Sequence, residues 1–367
     1  IVFPGTYDGG IDYAGKEIKL FSTNPDDPNI VAQTIITGPF GVRAITFSDG
    51  EDSGSVLDGF TIDFGRVFDN GGAIYVGPDS SPTIVNVDIR DYWVYFANGG
   101  AIYVDANSSP VFKNVTIEDG VAWTGNGGAI YLDVNSAPTF VDCQVTDCWA
   151  LGGSGGAAYC NTDSNGLFTG CDFIDNYASF NGGAFYYNTK SISTLILCEL
   201  IDNATNSDGG GFYYAADCLA ELTDCNIIDS FASGNGGGIF CSIDNTLSIV
   251  DCNITDSAAV YGAGLYFEPN CEAIISHSGL LRNSASEDGG AAYYTYADGI
   301  LIYDCNVWYN TAVRGGGLFT MESPDSQIVR SSVQYNEAVR VSVLYDYWMT
   351  DPNDPNLIPY PVPPDPT

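Results

Sequence analysis

The chain has 367 residues, with 46 Asp and Glu against 11 Lys and Arg and a net charge of −35. Such a field repels nucleic acid and anionic membranes and attracts cations, which excludes polyanion binding. A hydrophobic content of 45% suits a folded core, and no stretch approaches the ~20 apolar residues of a membrane span.

The chain opens on Ile1-Val2-Phe3, an apolar run that reads as a strand with no signal peptide ahead of it, as in a mature or trimmed fragment. Irregular coil-like segments follow at Gln33 to Gly38, Ala44 to Phe47 and Ser55 to Ile62. From Gly71 onward a Gly-Gly-x-x-aromatic motif returns ten times at a spacing of 26 to 28 residues. It starts at Gly71, Gly99, Gly127, Gly155, Gly182, Gly209, Gly236, Gly262 (as Gly-Ala-Gly), Gly289 and Gly315. A fixed period of this size is the signature of a solenoid, whose repeats bury their apolar faces only by stacking.

Within one coil, Asn98 to Thr124, alternation puts Ile102 and Val104 on one side of a strand and Ala101 and Tyr103 on the other. The Ile102 position is apolar in all ten repeats and therefore faces the core. A polar turn leads to a second inward ladder that begins Ile84, Phe112, Phe140, Phe168 and Leu195. A third begins Ile89, Ile117, Val145 and Phe173. Asn176, Asn203, Asn283, Asn310 and Asn336, alternating with Ser230 and Ser257, form a ladder whose amides are placed to hydrogen-bond from coil to coil. Ala122, Ala150 and Ala178 open a row at a tight inward corner. Three short strands per coil give an all-β fold, a right-handed parallel β-helix of about 13 coils with 26–28 residues each. At ~4.8 Å per coil the rod is roughly 60 Å long. This domain spans 1–345, and 346–367 is a Pro-rich tail.

The eleven cysteines fall into the same frame. Cys143, Cys171, Cys198, Cys225, Cys252 and Cys305 occupy a position that reads Val87 and Val115 in earlier coils. A slot that takes Val or Cys is buried and small. Side chains stacked in parallel at the strand spacing suit disulfide geometry badly, so free thiols are expected. Four Asn-x-Ser/Thr sequons, at Asn107, Asn114, Asn203 and Asn253, are candidate glycosylation acceptors, with Asn203 expected inside the internal ladder.

The opening Pro4-Gly5-Thr6-Tyr7, the Gly-Gly-Ala-Ile-Tyr repeats and Phe173-Ile174-Asp175-Asn176 resemble right-handed parallel β-helix proteins of the pectate-lyase-like superfamily. Gly-Gly-Ala-Ile combined with Phe-x-x-Asn is similar to the passenger repeats of chlamydial polymorphic membrane proteins and to bacterial surface proteins with β-helix repeats. The Phe is kept only at Phe173, with Leu, Ile or Val elsewhere. The resemblance implies the architecture; lyases, hydrolases, adhesins and tailspikes all use it.

Two columns are candidate sites. Tyr75, Tyr103, Tyr131, Tyr159, Tyr186, Tyr213, Phe240, Tyr266, Tyr293 and Phe319 form an aromatic ladder, either a platform for apolar sugar faces or a stack of rings that shields the sheet. Asp91, Asp119, Asp147, Asp175, Asp202, Asp229 and Asp256 share one repeat position, with Arg282 next in line. Carboxylates at that spacing need solvent, raised pKa values or a cation, and Ca²⁺ suits all-oxygen ligands. A lesser column holds Asp142, Asp224, Asp251 and Asp304. Paired carboxylates also raise glycoside hydrolysis, for which Arg282 beside Asp256 and near His277 is the one mixed-charge group to test. Against catalysis stands a coil length that scarcely varies, since a catalytic site is expected to interrupt the repeat. The sequence therefore reads as a non-catalytic extracellular structural or adhesive protein that pairs with itself head to tail or with surface and matrix components. Carbohydrate binding is the alternative, and a polysaccharide lyase or hydrolase a more distant one.

Overall fold

The computed structural model describes residues 1–297 and 299–338. The expected tail and the last stretch of the 1–345 domain lie outside the described residues. Those described form a parallel β-solenoid with one short helix, Pro28–Val31, which Asp27 caps by accepting from the Asn29 N–H. One sheet contains twelve parallel strands in sequence order, from Ile11–Asp12 through Ile102–Val104 and Ala158–Cys160 to Leu318–Met321. The solenoid thus has about twelve coils where the repeat suggested thirteen. The first step, Ile11 to Ile45, is longer than any repeat because it carries the helix.

The remaining strands join into a second, 31-stranded sheet that wraps the other walls. Each central coil has four strand segments where three were expected; one coil runs Ala158–Cys160, Leu167–Thr169, Asp172–Ile174 and Tyr177–Ala178. A residue with positive φ separates neighbouring segments of this wall: Gly170 (62°) and Asp175 (54°) in that coil. In the early coils the same path counts as single strands, Val56–Val67 and Thr83–Val94.

The core is continuous along the rod. Phe112, Phe140 and Phe168 stack at 4.6 and 4.8 Å, fully buried, as one inward ladder. The Asn ladder forms as expected. Asn176 donates from Nδ2 to the Val145 carbonyl (3.0 Å) and to Asn203 Oδ1 (3.0 Å), and Asn203 donates to the Phe173 carbonyl (2.8 Å). The row resumes from Asn283 to Asn336 after the serines. Cys148 heads it, its N–H bonded to Asn176 Oδ1. All eleven cysteines are buried and free, and burial pushes the thiols of Cys148 and Cys160 up.

The Gly-Gly pair has two separate causes. The first glycine sits at positive φ, 68° at Gly127, a region open to Gly at no steric cost. The second is fixed by close approach, since a Cβ on Gly128 would lie 2.2 Å from the Gly156 carbonyl oxygen.

Candidate functional site

The aromatic ladder is an unbroken stack. In-register pairing sets Tyr103 opposite Tyr131 and Tyr131 opposite Tyr159. From Tyr103 to Phe319 the centroids lie 4.8–5.2 Å apart with planes within 6°. Tyr75 joins at 5.7 Å. Each ring face is covered by the next ring, so the column turns edges and hydroxyls outward, and a sugar would meet those in place of faces. At the early end of the ladder, Tyr75 donates to Asp105 Oδ2 and Tyr103 to Asp133 Oδ2, both at 2.5 Å. Burial, followed by its bond to Asp105, pushes the Tyr75 phenol up to about 12. Burial likewise raises Tyr103, Tyr131 and Tyr159.

The carboxylate column has a backbone cause absent from any charge argument. All seven of its residues, Asp91 to Asp256, have φ between 51° and 60°. Arg282 continues the series at 57°, then Tyr309 at 60° and Tyr335 at 57°. This is the left-handed region, where Asp and Asn are several-fold enriched among non-Gly residues because their short side chains bond locally. The lesser column repeats the pattern: Asp142, Asp224, Asp251 and Asp304 lie at 52–54°, and Asn86, Asn114 and Gly170 hold the same corner in other coils. A third such corner holds Asp79, Asn107, Asn135 and Asp163. The Asp residues named in these three columns, thirteen of the 46 acidic residues, are therefore corner residues repeated coil after coil.

The charges still interact. Desolvation, then Asp175 and Asp119, raises the pKa of Asp147; desolvation, then Asp175 and Asp229, raises that of Asp202. Among the described residues no group of three or more His, Cys, Asp or Glu side chains converges at metal-binding geometry.

Arg282, Asp256 and His277 do not form one site. Arg282 forks onto Asp256, with Nε to Oδ1 at 2.7 Å and Nη2 to Oδ2 at 2.5 Å. His277 belongs to the other corner column, with Nε2 3.6 Å from Asp304 Oδ2, a carboxylate that Arg330 also grips bidentately. That Arg330 contact, ahead of the smaller contributions, holds the Asp304 carboxyl below its usual range. Both are coil-to-coil ion pairs on the surface. Of the sequons, Asn203 is fully buried, whereas Asn107, Asn114 and Asn253 are exposed.

A surface absent from the sequence reading lies on another corner. Phe40, Phe68, Phe96, Trp123 and Trp149 are 44–76% exposed; Phe40 touches Phe68, and Tyr95 lies between Phe68 and Trp123. Beside them a cavity of about 400 Å³ is lined by Arg43, Phe68, Asp69, Asn70, Tyr75 and Phe96. The signal was legible: three of the five tryptophans fall between residues 93 and 149, but the corner positions vary too much between coils to read as a ladder.

A parallel solenoid with glycine-pinned coils and stacked apolar ladders defines a β-helix protein. The chain belongs to that family, since the family described as the right handed beta helix region matches residues 52–242 and 210–347. No curated protein and no solved structure matches it. No helix among the described residues is long and apolar enough to cross a membrane.

Proposed function

We propose that the protein is a rigid, acidic, non-catalytic rod of a bacterial surface or matrix, structural or adhesive in role. The observation that supports this best is where the repeated side chains are spent. Ring faces stack on rings, Asn amides bond the next coil, and the acidic columns occupy left-handed corners. Each repeated feature serves the neighbouring coil, as in a molecule whose property is length and stiffness. Head-to-tail pairing of end coils into filaments or layers belongs to this reading. Calcium along the Asp91 to Asp256 column belongs to it as well, as the cation that would relieve repulsion between stacked carboxylates.

Electron microscopy of the purified protein, with millimolar calcium and again with chelator, tests the proposal. Ordered filaments or sheets are expected, more extensive with calcium. Dispersed single rods in both conditions would remove self-assembly and leave adhesion as the role to pursue.

A further inference from the structure

The exposed aromatic corner is surplus to the fold. In-register pairing runs one column through Arg66, Trp93, Val121, Trp149, Tyr177, Ala204, Phe231 and Ala258. Equivalent backbone bonds define a neighbouring column of Tyr95, Trp123, Leu151, Ser179, Asn206 and Ser233. Ala204, Ala258, Ser179, Asn206 and Ser233 hold the same backbone in later coils, beside Tyr177 and Phe231, so packing does not require a large ring at every one of these corners. In the early coils the rings nonetheless gather. Phe40 meets Phe68 at 5.6 Å, Phe68 meets Tyr95 at 5.4 Å, Tyr95 lies parallel to Trp123 at 6.5 Å, and Trp123 meets Trp93 at 6.2 Å. Three of these gathered rings stand open, with Phe40 66% exposed, Phe68 49% and Trp123 44%, and Phe96 (76%) flanks them across the adjoining cavity. A contiguous exposed apolar patch of this kind marks an interaction site.

We propose that this strip binds a neutral polysaccharide, laid along the rod axis. Aromatic faces suit the apolar faces of sugar rings, and the adjoining cavity supplies what the hydroxyls would need, with Arg43, Asp69 and Asn70 beside Phe68 and Phe96. Charge selects among occupants. A net charge of −35 repels an acidic glycan, and a second copy laid lengthwise on the strip, unlike one meeting it end to end, would set the same charge along the whole contact. An uncharged polymer meets neither penalty. The rigid solenoid also fixes the corners about one strand spacing apart, ~4.8 Å, so little ordering is left to binding. This inference stands apart from the scaffold role, since a filament and a single rod would expose the strip alike.

The test is co-sedimentation of the full chain with amorphous cellulose, chitin and insoluble mannan, alongside sedimentation velocity of the protein alone. The double variant Trp123→Ser, Trp149→Ala copies residues that other coils carry at those positions, so it keeps the fold. Trp308→Phe, on another wall, is the control. Wild type and control are expected to bind at least one of the three in low and high salt, and the double variant about tenfold or more weakly. No binding to any of them, or equal binding by the double variant, would overturn the proposal. Self-association that the double variant abolishes would also overturn it, by assigning the strip to a second copy.

Discussion

Asp202 separates a backbone cause from a cation cause for the carboxylate column. It is exposed, has φ 55°, and lies between Asp175 and Asp229. Each neighbour repels it by about 0.8 kcal/mol at ~5 Å in water, less once physiological salt screens charges beyond ~8 Å. Asp202→Asn keeps a side chain suited to the left-handed region and removes both repulsions, so it stabilises by up to about 1 kcal/mol. Asp202→Gly removes the conformational cost and the repulsion together, and is expected to match it. Asp202→Val forces a β-branched residue into the left-handed region and loses about 2 kcal/mol. The assay is urea unfolding at low salt followed by tryptophan fluorescence, with calcium and with chelator. Turn chemistry predicts the order Asn and Gly above Asp above Val in both buffers. If Asp202→Asn instead lost more than about 1 kcal/mol in calcium alone, the column would be a cation site first and a set of corners second.

Two further predictions rest on buried polar groups. Asn203→Ala removes the acceptor of two Asn176 bonds and the donor to Phe173; a loss of about 3 kcal/mol is expected by denaturant unfolding, and Asn203→Ser, which copies Ser230, should lose less. Glu51 is 2% exposed and accepts from the Gly15 N–H (2.9 Å), the Asp49 N–H (3.0 Å) and the Ser80 hydroxyl (3.3 Å). Desolvation raises its pKa, but the bonds together prevail and hold it below the usual glutamate value. A depressed folded pKa adds stability above the unfolded value of about 4.5, lost as pH falls through the folded one. Glu51→Gln should therefore weaken the protein near neutral pH and flatten the acid limb of its stability profile. An unchanged profile would count against the assignment. Asp147 and Asp202 act with the opposite sign, their raised values favouring the fold at low pH and costing stability as pH rises.

Period and ladder residues were legible because each coil must present the same shape to the next. A side chain at the Phe112 or Asn176 position meets its own kind, and selection for that contact writes a column into the sequence. The coil count and the number of strand segments were less legible, since both depend on where the backbone turns. Turn positions are hidden in the sequence for one physical reason. An Asp column read as charge has the same letters as an Asp column read as conformation, and only φ separates them. Asn86, Asn114 and Gly170 at equivalent corners held the clue, because Asn, Asp and Gly share tolerance of the left-handed region and do not share charge.

The two aromatic surfaces carry the same lesson into function. The Tyr75 to Phe319 ladder is conspicuous in sequence because it is uniform, and it is uniform because each ring fits against the next at about the coil spacing. That fit covers the faces a sugar would need. The Trp123 and Trp149 corner is inconspicuous because it departs from the repeat, and the departure leaves both side chains nearly half exposed. In a solenoid the residues that obey the period hold the rod together. A partner is to be sought where the period is broken without damage to the backbone beneath, and on this chain that place is the corner from Phe40 to Trp149.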